Sequence, residues 1–308
     1  MTRIAVAAAL AAALGLTACG LPDPPARFAF VYGVSIYDTL KAEGVNPNLT
    51  LADDDAEAMA ALLASQGWDV TLRTDADATR DAIEADIGSM AGSDALVLFY
   101  YSGHGDEHDF GLGEGFERYL LPHGAIVGYA PVAGQAMSPA DLFGLFEAAG
   151  LQHVVALLDC CFSGGFAYEG PTVDAVPPSF GPNEIPDGSI RFGRISDALY
   201  PTITNYLAYD SSPKTVVITA AGLGESSWER DEHGLFTGFL LESATAGDMD
   251  GDGAVTTGEI YAYTSRGIME DWNADHEDTW VSALGEYADF HPHQSGGPLE
   301  YVIFTTEH

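Results

Sequence analysis

A thiol and an imidazole 57 residues apart (161 − 104) are the first candidates for chemistry in this sequence. Cys161 lies in Asp159-Cys160-Cys161-Phe162-Ser163-Gly164-Gly165, and His104 in Tyr101-Ser102-Gly103-His104-Gly105. A thiol attacks as the thiolate, and a neighbouring imidazole both favours that form and returns the proton to a leaving group. Taken singly, Cys161 reads as a buried inert thiol and His104 as a hydrogen-bonded structural histidine. Two reactive groups in this order and spacing, each beside a Ser-Gly turn, favour catalysis instead. His104 also opens His104-Gly105-Asp106-Glu107-His108, the H-x-x-E-H pattern that binds zinc when both histidines share a helix face. Glycines on both sides of His104 make a helix there poor, so His108 is expected in a loop.

A second cluster is built from oxygens. Asp248-Met249-Asp250-Gly251-Asp252-Gly253-Ala254-Val255-Thr256-Thr257-Gly258-Glu259 matches the EF-hand calcium loop. Asp248, Asp250 and Asp252 offer side-chain oxygens, Ala254 its carbonyl, Thr256 the ninth position and Glu259 a bidentate carboxylate. Helical patterns run from Phe236 to Ala246 and from Glu259 to Trp272, so 235–272 reads as helix-loop-helix. The simpler alternative is an acidic turn in an acidic protein. Calcium is the expected cofactor, and the pattern implies no organic one.

The reactive residues need rigid supports. Val154 to Leu158 and Ala95 to Tyr101 are unbroken apolar runs, as in strands buried on both faces. Each run stops just before its reactive residue, and carboxyl ends of parallel strands line the ligand crevice of open α/β sheets. Further strands are expected at Phe28 to Ile36, Trp68 to Leu72, Thr215 to Ala220 and Leu299 to Thr305. Helices are expected from Asp53, where three acids suit the positive dipole end, and from Thr79 to Met90. Others run from Ser138-Pro139, a cap with proline at the first position, to Ala149, and from Gly234 to Ala246. This alternation predicts an α/β protein with a mainly parallel central sheet and helices on both faces. Residues 162–213 read as one long loop interrupted by Pro171, Pro177, Pro178, Pro182 and Pro186. It directly follows the thiol, which favours a functional loop.

Tyr-Ser-Gly-His-Gly followed by Asp-x-Cys-x-Ser-Gly resembles the caspase-like cysteine peptidases, and most closely their metacaspase branch. The spacing of about 50 residues between His and Cys agrees. The resemblance implies a caspase-like three-layer sandwich and peptide or protein substrates. It implies His104 and Cys161 as the catalytic pair, with the backbone N–H groups of Gly105 and Cys161 as the oxyanion site. Metacaspases usually carry His where this chain has Phe162. The family's pocket for the residue before the scissile bond maps onto Asp159, and more weakly onto Asp55 within Leu49-Thr50-Leu51-Ala52-Asp53-Asp54-Asp55-Ala56. Leu51-Ala52 replaces the usual Gly-Cys there. Two acids in one pocket favour Arg or Lys as guest. Otherwise Asp55 only favours a helix start and Asp159 only holds a turn. Self-cleavage as in the family would fall at Arg191 or Arg194. Metacaspases are often calcium-dependent through acids elsewhere, so the EF-hand-like loop is not that site. The alternative function is a non-catalytic calcium-binding lipoprotein on the same fold.

Charge and leader set the compartment. Across 308 residues, 46 acids face 11 Lys and Arg, a net of −35, which repels nucleic-acid phosphates and excludes nucleic acid as an expected partner. Ile4 to Leu16 is apolar but too short to span a bilayer, and it follows Arg3. Leu16-Thr17-Ala18-Cys19 resembles the bacterial lipoprotein cleavage box. Residues 1–18 are thus expected to be a signal peptide, Cys19 the lipid-bearing residue, 19–27 a proline-rich tether and 28–308 the peptidase domain. The protein is then exported and membrane-anchored on the periplasmic or cell-surface side. An ordinary secretory signal is the alternative. Cys160 and Cys161 are adjacent and imply no disulfide framework.

Overall fold

The computed structural model describes residues 25–37, 48–110, 117–127, 130–161, 214–222, 225–230, 232–281 and 286–306. A six-stranded sheet forms the middle layer: β1 (Arg27–Gly33), β2 (Asp69–Thr74), β3 (Leu96–Ser102), β4 (His153–Asp159), β5 (Lys214–Thr219) and β6 (His293–Gly296). Their spatial order is β6-β5-β4-β3-β1-β2. The first five are parallel, and β6 pairs antiparallel with β5.

Alternate residues of the central strands enter two separate cores. Leu96, Leu98 and Tyr100 of β3 and Val155 and Leu157 of β4 pack into one. Val97, Phe99 and Tyr101, with Val154, Ala156 and Leu158, pack into the other. That two-residue period with both faces covered explains why the runs are continuously apolar. The first core is closed by α1 (Ala52–Ser65), α4 (Leu235–Ala246) and α5 (Thr257–Gly267). The second is closed by α2 (Arg80–Ser89) and α3 (Pro139–Ala148), giving the three-layer α/β sandwich expected from the sequence.

Local signals set several boundaries. The Ser138 hydroxyl accepts from Asp141 N at 3.2 Å and the Asp141 carboxylate accepts from Ser138 N at 3.0 Å, a complete capping box for α3. β1 ends at Gly33, earlier than the apolar pattern suggests, because α1 crosses there: a side chain at Gly33 would collide with the Ala52 carbonyl and Ala56. Proline-rich composition puts Arg27 in the tether, yet it opens β1 opposite Leu96, its guanidinium donating to Gln66 O and lying 5.1 Å from the Trp68 ring centre. The C-terminal strand, Val302–Thr305, is shorter than expected and stays outside the central sheet; it pairs with Ala254–Thr256. The place at the sheet edge is taken by β6, whose polar sequence His293-Gln294-Ser295-Gly296 carries no strand pattern. Among the described residues no helix is long and apolar enough to cross a membrane.

Candidate active site

The register of two neighbouring strands builds the site. Ser102 of β3 pairs with Asp159 of β4. His104 and Cys161 each lie two residues further on (104 − 102 and 161 − 159), so they leave the sheet at the same level. Both line one narrow cavity of about 40 Å³, together with Asp55, Ser102, Asp159, Ser227, Glu229 and Gly234. Cys161 is partly exposed and its Sγ donates to the Ser227 carbonyl at 3.9 Å, whereas Cys160 is 2% exposed and belongs to the core. Gly105 adjoins Cys161 so closely that a side chain at Gly105 would collide with the Cys161 carbonyl. The glycine therefore lets the chain segments carrying His104 and Cys161 approach.

Two tyrosines, not singled out in the sequence, fix the histidine. His104 N donates to the Tyr37 hydroxyl at 2.7 Å, and the Tyr37 ring lies 4.7 Å from the imidazole, centre to centre. Tyr101 O–H donates to the His104 carbonyl at 3.1 Å and to the Leu121 carbonyl at 2.8 Å. Tyr37 is itself held: its N–H donates to Asn48 Oδ1 at 2.9 Å, and the preceding Ser35 and Ile36 N–H groups donate to Asp75 Oδ1. Asp75 has a φ of 47°, a strained value for a residue with a side chain.

Residues 105–108 form a strand paired with 117–120, not a helix. The shared helix face that the H-x-x-E-H pattern needs for zinc is therefore not formed; the His108 ring packs on Phe110 at 4.6 Å.

The floor of the cavity is acidic and buried. Asp55 is 1% exposed and Asp159 5%. Gly234 separates them: a Cβ there would stand 2.5 Å from Asp159 Oδ2 and 3.0 Å from Asp55 Oδ2. Asp159 accepts from the Ser227 hydroxyl at 2.6 Å and from Thr237 N and Oγ1 at 3.1 and 2.7 Å. Asp55 accepts from Gly234 N at 3.2 Å, from the Ser102 hydroxyl at 3.2 Å, and pairs with His233 Nδ1 at 2.9 Å. Burial first, and the Asp159 carboxylate second, push Asp55 up to about 8, against the pull of the Gly234 N–H and the Ser102 hydroxyl. Burial also raises Asp159, opposed by the Ser227 and Thr237 donors. Glu229 accepts from Leu51 N at 3.1 Å and Thr50 N at 3.3 Å, capping α1 from across the cleft. Ser227, Glu229, His233 and Thr237 come from a segment whose short, mixed sequence gives no motif; only the fold brings it to the thiol.

The acidic loop is separate from this cleft. One carboxylate oxygen from each of Asp248, Asp250 and Asp252 lies within 4.8 Å of the others. Gly251 and Gly253 turn the chain with φ of 77° and 89°. Glu259 folds back on the loop, accepting from Met249 N at 3.0 Å and Thr256 N at 2.9 Å. Ala254 pairs with Thr305, and Thr306 donates from N to the Gly253 carbonyl and from Oγ1 to Asp248 Oδ2, each at 3.0 Å. The chain's own C-terminal strand thus occupies the side on which a second loop of this kind would pair. Cys19, Arg191 and Arg194 lie outside the described residues, as does the expected loop 162–213.

The caspase domain family matches residues 26–265. Among solved structures, a protein from Geobacter sulfurreducens is similar over 92% of this chain and all of its own, at 22% identity and a TM-score of 0.56. Caspase-1 from Spodoptera frugiperda is similar over 93% of both chains, at 13% identity and a TM-score of 0.53. No curated protein matches the chain.

Proposed function

The chain belongs to the caspase domain family, whose activity is of the cysteine peptidase type, and on that premise we propose an endopeptidase of the metacaspase kind, working through His104 and Cys161 and cutting after Arg or Lys. What supports this reading most is the shared register of β3 and β4, with His104 and Cys161 in one cavity above Asp55 and Asp159.

In this mechanism His104 takes the Cys161 proton and Sγ attacks the scissile carbonyl carbon. The carbonyl electrons move to oxygen, where the N–H groups of Gly105 and Cys161 stabilise the charge. Collapse breaks the C–N bond, and the departing amine takes the proton from His104. Water then adds to the thioester, His104 removes its proton, and the carboxylate leaves as the thiol re-forms. A guanidinium or ammonium on the residue before the cut sits over Asp55 and Asp159, with Glu229 nearby.

The test is peptide hydrolysis by the full chain. Cys161→Ala is expected to lower kcat/KM on the order of 10⁴-fold or more, and Cys160→Ala to leave most of it. Full activity in Cys161→Ala overturns the assignment; loss in Cys160→Ala alone moves it by one residue.

Two further readings belong to the same proposal. Asp248, Asp250, Asp252, Ala254, Thr256 and Glu259 form a hard-oxygen set that suits Ca²⁺, and bound there the ion would supply stability rather than chemistry. The clustering of three carboxylates in a glycine-turned loop supports this. The leader and the box before Cys19 support an exported protein anchored by lipid at Cys19, with self-cleavage at Arg191 or Arg194. Mass spectrometry of the membrane fraction, for an acylated Cys19, and of the purified chain, for new termini, checks both.

A further inference from the structure

Each acid on the cavity floor already has a set of donors. Asp159 is met by Ser227 and Thr237, all uncharged. Asp55 is met by Gly234, Ser102 and one titratable base, His233, whose Nδ1 stands 2.9 Å from Oδ1. Asp55 lines the substrate cavity, while His233 lines a second cavity of about 290 Å³ on the outer side, its side chain 30% exposed. The Asp55–His233 contact thus bridges the inside of the cleft and solvent. A proton on this pair has an exit that does not pass through an occupied cleft.

We propose that the entering Arg or Lys side chain displaces a proton held between Asp55 and His233, so that binding of a basic residue is coupled to release of that proton through His233. This deepens, and rests on, the reading of the cleft as a pocket for a basic residue. The exchange balances: one positive charge enters, one leaves, and the net charge of the cleft is unchanged. The 2.9 Å contact between Asp55 Oδ1 and His233 Nδ1 places the two atoms in direct hydrogen-bond reach for that proton.

The charged groups around the pair do not replace the proton. Asp159 faces Asp55 from β4 and raises the cost of a second bare carboxylate. Glu229, which pairs with Gly234 in a short antiparallel hairpin, is committed to the Thr50 and Leu51 N–H groups. Glu232 and Glu242 line the outer cavity with His233. Arg230, the cation in that cavity, is ion-paired with Asp271. Tyr100 lies beneath, its hydroxyl 2.6 Å from Thr237 Oγ1, and burial keeps it protonated. His233 is thus the proton acceptor in contact with Asp55 among the described residues. The raised titration of Asp55 agrees with a proton that stays until a cation arrives.

The experiment is calorimetric titration of the full chain with agmatine, in buffers of different protonation enthalpy. At about pH 6.5, release of close to one proton per agmatine is expected; at about pH 9, almost none. The dissociation constant should fall about tenfold per pH unit up to about pH 8 and then level off. Asp55→Asn should bind more weakly, with a reduced pH dependence. His233→Gln, which keeps a neutral donor, should shift the midpoint. Binding without proton release at about pH 6.5 overturns the inference and leaves the basic pocket standing. An unchanged pH dependence in Asp55→Asn also overturns it. Failure of the wild type to bind agmatine at any pH overturns the pocket reading and this inference together.

Discussion

The molecule holds two clusters of aspartates that composition alone treats alike, and they obey opposite physics. Asp55 and Asp159 are almost fully buried, stand on either side of one glycine and are both raised by desolvation. Asp250 and Asp252 are exposed, and the oxygens of their loop are aimed by backbone N–H groups: Gly251, Asp252 and Gly253 to Asp248, and Ala254 to Asp252. The buried pair resists a second negative charge and so, in the proposed reading, would select a cation that brings hydrogen-bond donors. The exposed loop holds its charges in water at little cost and concentrates hard oxygens for an ion. Among 46 acids, burial and donor geometry rather than charge set these two clusters apart.

The sharpest way to break this contrast is at Asp159. Asp159→Ala leaves three donors from Ser227 and Thr237 without an acceptor and deletes half the pocket charge. On an Arg peptide kcat/KM should fall about 30-fold to 10³-fold, in line with loss of a charged buried partner of about 2–4 kcal/mol. Asp159→Asn keeps most of the hydrogen bonding, so it should fold at wild-type yield while still losing Arg cleavage. Equal rates for wild type and Asp159→Asn would remove the carboxylate from the pocket.

The next effect is on stability. The folded value of Asp55, about 8, lies above its unfolded value, so the folded state binds the extra proton. The stability it contributes is complete below about pH 4 and is lost as pH rises towards about 8. The urea midpoint should therefore decline across that window in the wild type and flatten in Asp55→Asn. A midpoint that rises with pH in the wild type and is unaffected by Asp55→Asn would contradict the burial argument.

Much of the cleft was legible in the sequence, because its candidate residues hang on strand ends. Continuous apolar runs announced β3 and β4, and His104 and Cys161 stood just past them. What remained hidden came from distant, featureless segments. Tyr37 follows a strand and reads as core; only its 67-residue separation from His104, closed by the fold, gives it a role. His233 and Gly234 reach Asp55 across 178 and 179 residues. β6 was invisible because an edge strand bonded through its backbone needs no apolar pattern. The clustering of acids in the loop was legible, since its candidate ligands all fall within 248–259, but its C-terminal partner strand was not.

Tyr37 tests a smaller effect on the catalytic side. Tyr37→Phe keeps the ring against the imidazole and removes the acceptor for the His104 N–H. One lost hydrogen bond of about 1 kcal/mol predicts a fall in kcat of roughly fivefold to tenfold with KM unchanged. The rate of Cys161 alkylation by iodoacetamide near neutral pH should fall with it, since it reports the imidazole's hold on the thiolate without any peptide. A change in KM alone would assign Tyr37 to the substrate surface instead.

The smallest effect on catalysis is expected from the exposed cluster, and it is the one that can couple the two regions. Asp250→Asn alters a carboxylate whose oxygen accepts only from Asp252 N among the described contacts. Without calcium, stability should change by less than about 0.5 kcal/mol. With calcium at about a hundred times its dissociation constant, the wild type should gain about 2.7 kcal/mol and the variant much less. The gain has a path into the structure, because Asp248 and Gly253 bond Thr306 and tie the loop to the last strand. Cleavage of an Arg peptide, in contrast, should differ less than about twofold with and without calcium well below the melting range. A larger drop on chelation would mean that the regions are not independent. The route would then be α5 and the helical turn beyond it, where Trp272 stacks 6.2 Å from Trp228 and Asp271 pairs with Arg230, both on the segment that walls the cleft. Trp272→Ala would distinguish the two cases: it should abolish any calcium dependence of cleavage carried by that contact while leaving the calcium-induced rise in melting temperature in place.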